Sequence, residues 1–173
     1  AACSHSSKGV RVWGVGTAAV VLEIPVEGPA AAVFSPDGKW LAAGGKEDCQ
    51  VWTVGSWEKG RRIDGAASAF APDGSVLAVE TGRGVVRLVD PQTAKTAAQL
   101  EDPNQDRSDV YFTPDGGRLV AVSLEGRCIH VWDLRRIRQG LAEIGLDWEQ
   151  PAYPTPAPAA APPRVTVIGG TPR

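Results

Sequence analysis

Hydrophobic and polar positions along this chain alternate in short runs that recur. Four of the runs stack on their apolar ends: Val10-Arg-Val-Trp13, Cys49-Gln-Val-Trp52, Val86-Arg-Leu-Val89 and Ile129-His-Val-Trp132. In each, the second position is polar (Arg11, Gln50, Arg87, His130) and its neighbours are apolar or Cys. That period of two marks a strand, with one polar position returning at the same place in every copy. A second recurrence precedes the last three runs: Phe34-Ser-Pro-Asp-Gly38, Phe70-Ala-Pro-Asp-Gly74 and Phe112-Thr-Pro-Asp-Gly116, with the phenylalanines 36 and then 42 residues apart. Repetition at such a period predicts stacked copies of one supersecondary unit, as in solenoids, propellers and arrays.

The unit reads as an antiparallel meander. Pro presets φ at the second turn position, Asp bonds its own backbone and Gly accepts a positive φ, so each Pro-Asp-Gly string predicts a hairpin turn. Strands are expected before the turns (31–34, 67–70, 109–112) and after them (40–43, 76–79, 119–123). A turn rich in Gly and charge then leads to the aligned third strand. Outer fourth strands are expected at 20–24 and 96–100, with a weaker one at 59–63.

With its closing Val131-Trp132-Asp133 and the degraded Leu88-Val89-Asp90, this pattern resembles the WD-repeat β-propeller family over residues 1 to 134. The resemblance implies four-stranded blades around a central channel. The Gly-His dipeptide typical of such repeats is absent, and Gly28-Pro29 and Gly65-Ala66 stand in its place. Cohesion is therefore expected to rest on apolar packing between sheets. The expected core is Trp13, Phe34, Leu41, Trp52, Phe70, Leu77, Leu88, Phe112, Leu119, Val131 and Trp132.

Closed rings need about four to eight blades of roughly 40 residues, and this length holds three and part of another. The expected fold is thus an all-β, incomplete β-propeller. Ala2 precedes Trp13 by eleven residues as Ala121 precedes Trp132, which puts the first residues in the second strand of a blade. With no Met anywhere, the chain reads as the C-terminal part of a longer polypeptide. Produced alone, it is expected to expose a sheet face and edge and to dimerise, aggregate or be marginally stable, with 1–24 the most mobile part.

After the propeller segment (1–133), Leu134, Ile137, Leu141, Ile144 and Trp148 fall on one helical stripe, predicting a capping helix over 134–149. Docking of that stripe in a partner's groove is the lesser alternative. Residues 150–163 read as a proline-rich linker, with ligand for an aromatic groove the lesser alternative, and 164–173 as a short strand or tail. This closing architecture also resembles the end of WD-repeat regions in large bacterial multidomain proteins. That resemblance implies an alternative role, a regulatory or sensor region of a larger enzyme such as a serine/threonine protein kinase. No kinase motif occurs in these residues.

A net charge of −2 argues against a basic nucleic-acid-binding surface, and no run approaches the roughly 20 apolar residues of a membrane span. Cys49 and Cys128 open strands of non-adjacent blades, too far apart for a disulfide, and read as buried thiols. His5 and His130 with Cys3, Cys49 and Cys128 show no CxxC or HxxxH spacing, so no metal is expected. Gly14-Val-Gly16-Thr-Ala-Ala19 mimics a dinucleotide fingerprint, but a strand and Pro25 follow where a helix is needed, so no cofactor is expected. The aspartates Asp37, Asp73 and Asp115 recur because the turn recurs. A protein-binding scaffold without catalytic activity of its own is the reading left. Its partners are other proteins or other domains of the same chain, and its candidate contacts are the face loops at Gly28 and Pro29, at Gly65 and Ala66, and from Asp102 to Arg107.

Overall fold

The computed structural model describes residues 2–6, 9–82, 84–102, 108–123, 128–148, 150–151 and 153. They form four antiparallel sheets, each a meander in chain order. The first holds β1 (Ala2–Ser6), β2 (Gly9–Gly14) and β3 (Ala19–Ile24). The second holds β4 (Ala31–Phe34), β5 (Trp40–Gly44), β6 (Asp48–Thr53) and β7 (Lys59–Asp64). The third holds β8 (Ala66–Phe70), β9 (Leu77–Glu80), β10 (Val85–Val89) and β11 (Thr96–Glu101). The fourth holds β12 (Ser108–Phe112), β13 (Arg118–Ser123) and β14 (Ile129–Asp133), and runs into the helix α1 (Leu134–Glu143). These are the blades of an incomplete all-β propeller. One register unites them: Leu41 pairs Trp52, Leu77 pairs Val89 and Leu119 pairs Trp132. Ala2 pairs Trp13, so β1 takes the second-strand position. Its counterpart is Leu119 rather than Ala121, because two more residues separate β13 from β14.

Blades 2 and 3 bury both faces, one against the blade before and one against the blade after, while blades 1 and 4 each pack one face on a described neighbour. Between blades 1 and 2, Val10, Val12 and Ile24 meet Leu41 and Ala43, with Phe34 and Trp52 at the margin. Between blades 2 and 3, Ala42, Cys49, Val51 and Ile63 meet Phe70, Leu77 and Val79. Between blades 3 and 4, Ala78, Val86, Leu88 and Leu100 meet Val110, Leu119 and Ala121, with Phe112 beside them. The three phenylalanines therefore do one job, each closing the junction with the preceding blade. Trp13, Phe34, Trp52, Phe112 and Trp132 are half-buried rather than fully enclosed. Val131 is the core expectation that fails: its equivalents Val12, Val51 and Leu88 are sealed by the next blade, whereas Val131 is 55% exposed. It lies on the far face of blade 4, where no described blade follows. Cys49 is the buried thiol expected, and burial pushes it up to about 12. Cys128 is only half-buried.

The turns repeat their chemistry as well as their sequence. In blade 2 the Ser35 hydroxyl donates to Asp37 Oδ1 at 2.6 Å and accepts from the Trp40 N–H at 2.8 Å. In blade 4 Thr113 does the same with Asp115 (2.6 Å) and the Arg118 N–H (3.1 Å). Blade 3 has Ala71 at that place, and Ser75 supplies the hydroxyl to Asp73 from the other side at 2.7 Å. The Thr113 hydroxyl, then the Gly117 N–H, then Arg135 hold the Asp115 carboxyl down to about 2 from its ordinary 3.8. Because the folded-state value is the lower, this carboxylate stabilises the fold above the ordinary value, and the stabilisation is lost as pH falls toward about 2. In urea titrations the wild-type advantage over Asp115→Asn is expected to shrink steadily from about pH 5 to about pH 2. A pH-independent gap would show that the carboxylate charge is not what holds the turn.

Helix α1 starts where Asp133, last residue of the Val-Trp-Asp string, caps it by accepting from the Arg136 N–H at 3.1 Å. It ends earlier than its apolar stripe predicts. The Leu146 N–H bonds the Leu141 carbonyl at 2.8 Å and the chain reverses. Leu134 is buried and Ile137 and Leu141 half-buried, but Ile144 falls past the reversal and is exposed. Trp148 is buried nonetheless, carried back by the returning segment rather than by the helix. That segment, with Gln150, Pro151 and Tyr153, lies against the 72–75 and 114–116 turns. The first residues of the expected linker are thus docked; the remainder, and the 164–173 strand or tail, lie outside the described residues.

Candidate functional site

Two of the residues named from sequence, Pro29 and Ala66, line a groove at the first strands of the sheets. It has a volume of about 290 Å³ and crosses the first strands β4, β8 and β12 of three successive blades. Pro29 and Ala66 both line it, together with Lys46, Glu80 and Tyr111. Gly28 is exposed beside Pro29. Gly65 is buried: it alone joins β7 to β8, and its N–H donates to the Glu47 carbonyl at 2.7 Å. Asp102 is buried as well, so it is not a surface contact of the kind expected, and Arg107 lies outside the described residues. Tyr111 was missed by sequence reasoning. A signal existed: it is the residue before the repeat phenylalanine, where the other copies carry Val33 and Ala69, and it stands 56% exposed.

The recurring polar position of the third strands turns out to be a set of latches. Arg11 pairs with Glu23 of the outer strand at 2.9 Å, and Gln50 donates to the carbonyls of Gly60 and Arg61 at 2.7 and 2.9 Å. Arg87 and His130 reach instead to the preceding blade, Arg87 to the Asp64 carbonyl and His130 Nε2 to Asp102 Oδ1 at 3.1 Å. Polar contacts between blades therefore supplement the apolar packing. Asp102 follows the outer strand of blade 3, near the place where a repeat of this kind carries Gly-His. Replacing Asp102 by Ala is expected to cost about 1–3 kcal/mol in urea unfolding, and Asp102→Asn, which keeps an acceptor, much less. Equal losses for the two would point to the charge rather than the hydrogen bond.

Cys128 Sγ also lies 3.5 Å from His130 Nε2, the nitrogen that meets Asp102. A nucleophilic relay needs the thiol and the carboxylate on opposite ring nitrogens. With both on one nitrogen, this arrangement is a structural contact. Among the described residues, no helix is long and apolar enough to cross a membrane.

The class these observations define is a repeat protein of propeller blades with a shared groove across their inner strands. Residues 28–53, which span β4 to β6, match the family model of the WD domain, G-beta repeat. The chain is also similar to Pre-mRNA-processing factor 19 homolog 2 of Arabidopsis thaliana, with 27% identity over 87 residues, 50% of this chain and 16% of that protein. It is 30% identical over 105 residues to Echinoderm microtubule-associated protein-like 2 of Mus musculus, 54% of this chain and 16% of that protein. The chain is thus similar to WD-repeat proteins over part of its length. It spans about a sixth of the length of these two relatives.

Proposed function

We propose that this chain is a scaffold module that holds an extended protein segment in the groove over β4, β8 and β12, with no catalytic step of its own. The observation that carries the reading is that groove: three blades contribute to it, and exposed Tyr111 lines it together with Lys46 and Glu80. An exposed aromatic beside opposed charges suits a segment with an apolar anchor flanked by polar residues. Pro29 and Ala66 line it as well. The partner is another protein or another domain of the same polypeptide. The test is selection from a displayed peptide library on the full chain, followed by binding to variants. Tyr111→Ala and Lys46→Glu are expected to weaken selected peptides at least about tenfold, while the distant Val15→Ala leaves them unchanged. Peptides that bind all three variants alike would move the site elsewhere.

A further inference from the structure

Blade 4 differs from its neighbours in one respect: among the described residues its sheet stops at the third strand. The parity of hydrogen bonding shows which groups line that edge. The Ser123 N–H donates to the Cys128 carbonyl at 3.0 Å and the Leu134 N–H to the Gly117 carbonyl at 3.0 Å, so Cys128, His130, Trp132 and Leu134 turn their backbone toward β13. Ile129 and Val131 therefore turn theirs outward. Their side chains are 66% and 55% exposed, on the same face as exposed Tyr111 and Val122. In blade 3 the equivalent pair, Val86 and Leu88, is buried and lies opposite Leu100 and Ala98 of the outer strand.

The outer strands obey a rule that identifies what fits. Opposite Val12-Arg11-Val10 in blade 1 stands Leu22-Glu-Ile24, and opposite Leu88-Arg87-Val86 in blade 3 stands Ala98-Gln-Leu100. Blade 2 keeps the last two places, with Arg62 opposite Gln50 and Ile63 opposite Cys49. An outer strand thus reads apolar, polar, apolar, with its polar residue facing the recurring polar position. Val165-Thr-Val167 has that order, inside a β-branched run ending at Ile168.

Direction and reach agree. Outer strands begin at the end of the blade that carries the Pro-Asp-Gly turns: Thr96 of β11 pairs Val89, which pairs Leu77 just after the 72–76 turn. Tyr153, the last described residue, lies at that same end, against Pro72 and Pro114 and 5.9 Å from the Arg135 guanidinium. Arg135 is two residues past β14. The ten residues 154–163 span up to about 30 Å as a proline-rich spacer, against the ~17 Å length of a five-residue strand. A segment entering there runs antiparallel to β14.

We propose that Arg164-Val-Thr-Val-Ile168 completes blade 4 as its outer strand, with Val165 opposite Val131, Thr166 opposite His130 and Val167 opposite Ile129. Residue-resolved amide hydrogen exchange on the full chain tests it, comparing the wild type with the double variant V165D/V167D. Ile129 and Val131 amides are expected to exchange at least about tenfold faster in the variant, while Val86 and Leu88 stay equally slow and so report an intact fold. Fast exchange of Ile129 and Val131 in both proteins would mean the edge is vacant. Slow exchange in both would mean another segment holds it. Protection that rises with protein concentration would assign the edge to a second copy. Each of those three outcomes overturns the proposal.

Discussion

Gly65→Ala is expected to lower stability by about 3–5 kcal/mol, moving the urea midpoint down by about 2 M for a slope near 2 kcal/mol/M. Gly65 is the whole connection between β7 and β8 and has φ of +107°, a conformation an L side chain adopts only under strain. A Cβ there would lie 2.6 Å from the Glu80 carbonyl oxygen, 2.7 Å from Val79 Cγ1 and 2.9 Å from Thr81 Cγ2. The first of these is backbone of the neighbouring strand β9, so relief requires the blade to open rather than a side chain to swing. Gly28 supplies the control. Its φ is +83°, but nothing lies within 4 Å of the position a Cβ would take. Gly28→Ala should therefore cost only the backbone strain, about 1–2 kcal/mol. Both glycines stand where the repeat replaces its usual Gly-His, yet one is a surface loop and the other a hinge pin between strands. Equal midpoints for the two variants would show that the β7–β8 junction relaxes freely.

The strands were legible because the period-two pattern and the Pro-Asp-Gly turns are local signals that agree with each other. β4 falls where the string before Phe34 places it, and the weak outer strand at 59–63 forms as β7 although its side chains are mostly exposed. Its register comes from β6, not from its own pattern. The misreading of Val131 has the same root. A repeat position is buried by the neighbouring blade, and no property of Ile129-His-Val-Trp132 tells whether a neighbour exists. The latches were invisible for a related reason: His130 and Asp102 lie 28 residues apart and meet only across two sheets. The helix end was missed because the stripe counts apolar residues, whereas the reversal after Glu143 is decided by backbone. Of the groove, sequence supplied Pro29 and Ala66 through the loop positions. It did not supply Tyr111, whose importance comes from standing exposed among three strands that the fold brings together.

Arg138→Ala is expected to detach the returning segment 146–153 from the blades while leaving the sheets folded. The Arg138 guanidinium makes a two-pronged pair with Asp147, Nε to Oδ1 and Nη2 to Oδ2, both at 2.9 Å. The same group donates to the carbonyls of Pro151 at 2.7 Å and Gln150 at 2.8 Å. Its central carbon lies 5.4 Å from the Trp148 ring and 5.5 Å from the Tyr153 ring. Hydrogen bonds donated to Asp147 raise the arginine above its ordinary value, and the same bonds lower Asp147, so both charges persist on acidification to below the usual carboxylate range. A lysine offers neither the planar fork nor the number of donors, so Arg138→Lys should fail nearly as badly as Ala. The local loss is about 2–4 kcal/mol, from charge-assisted bonds and ring contacts, of which Arg135 shares the one to Tyr153. In protein labelled with 5-fluorotryptophan, the Trp148 resonance, assigned by its absence from Trp148→Phe, is expected to move to a solvent-exposed position in both Arg138 variants. The resonances of Trp40 and Trp52 in blade 2 should not move. If Trp148 keeps its buried resonance without Arg138, then the apolar seat formed on the blades by Pro72 and Pro114 holds the segment by itself.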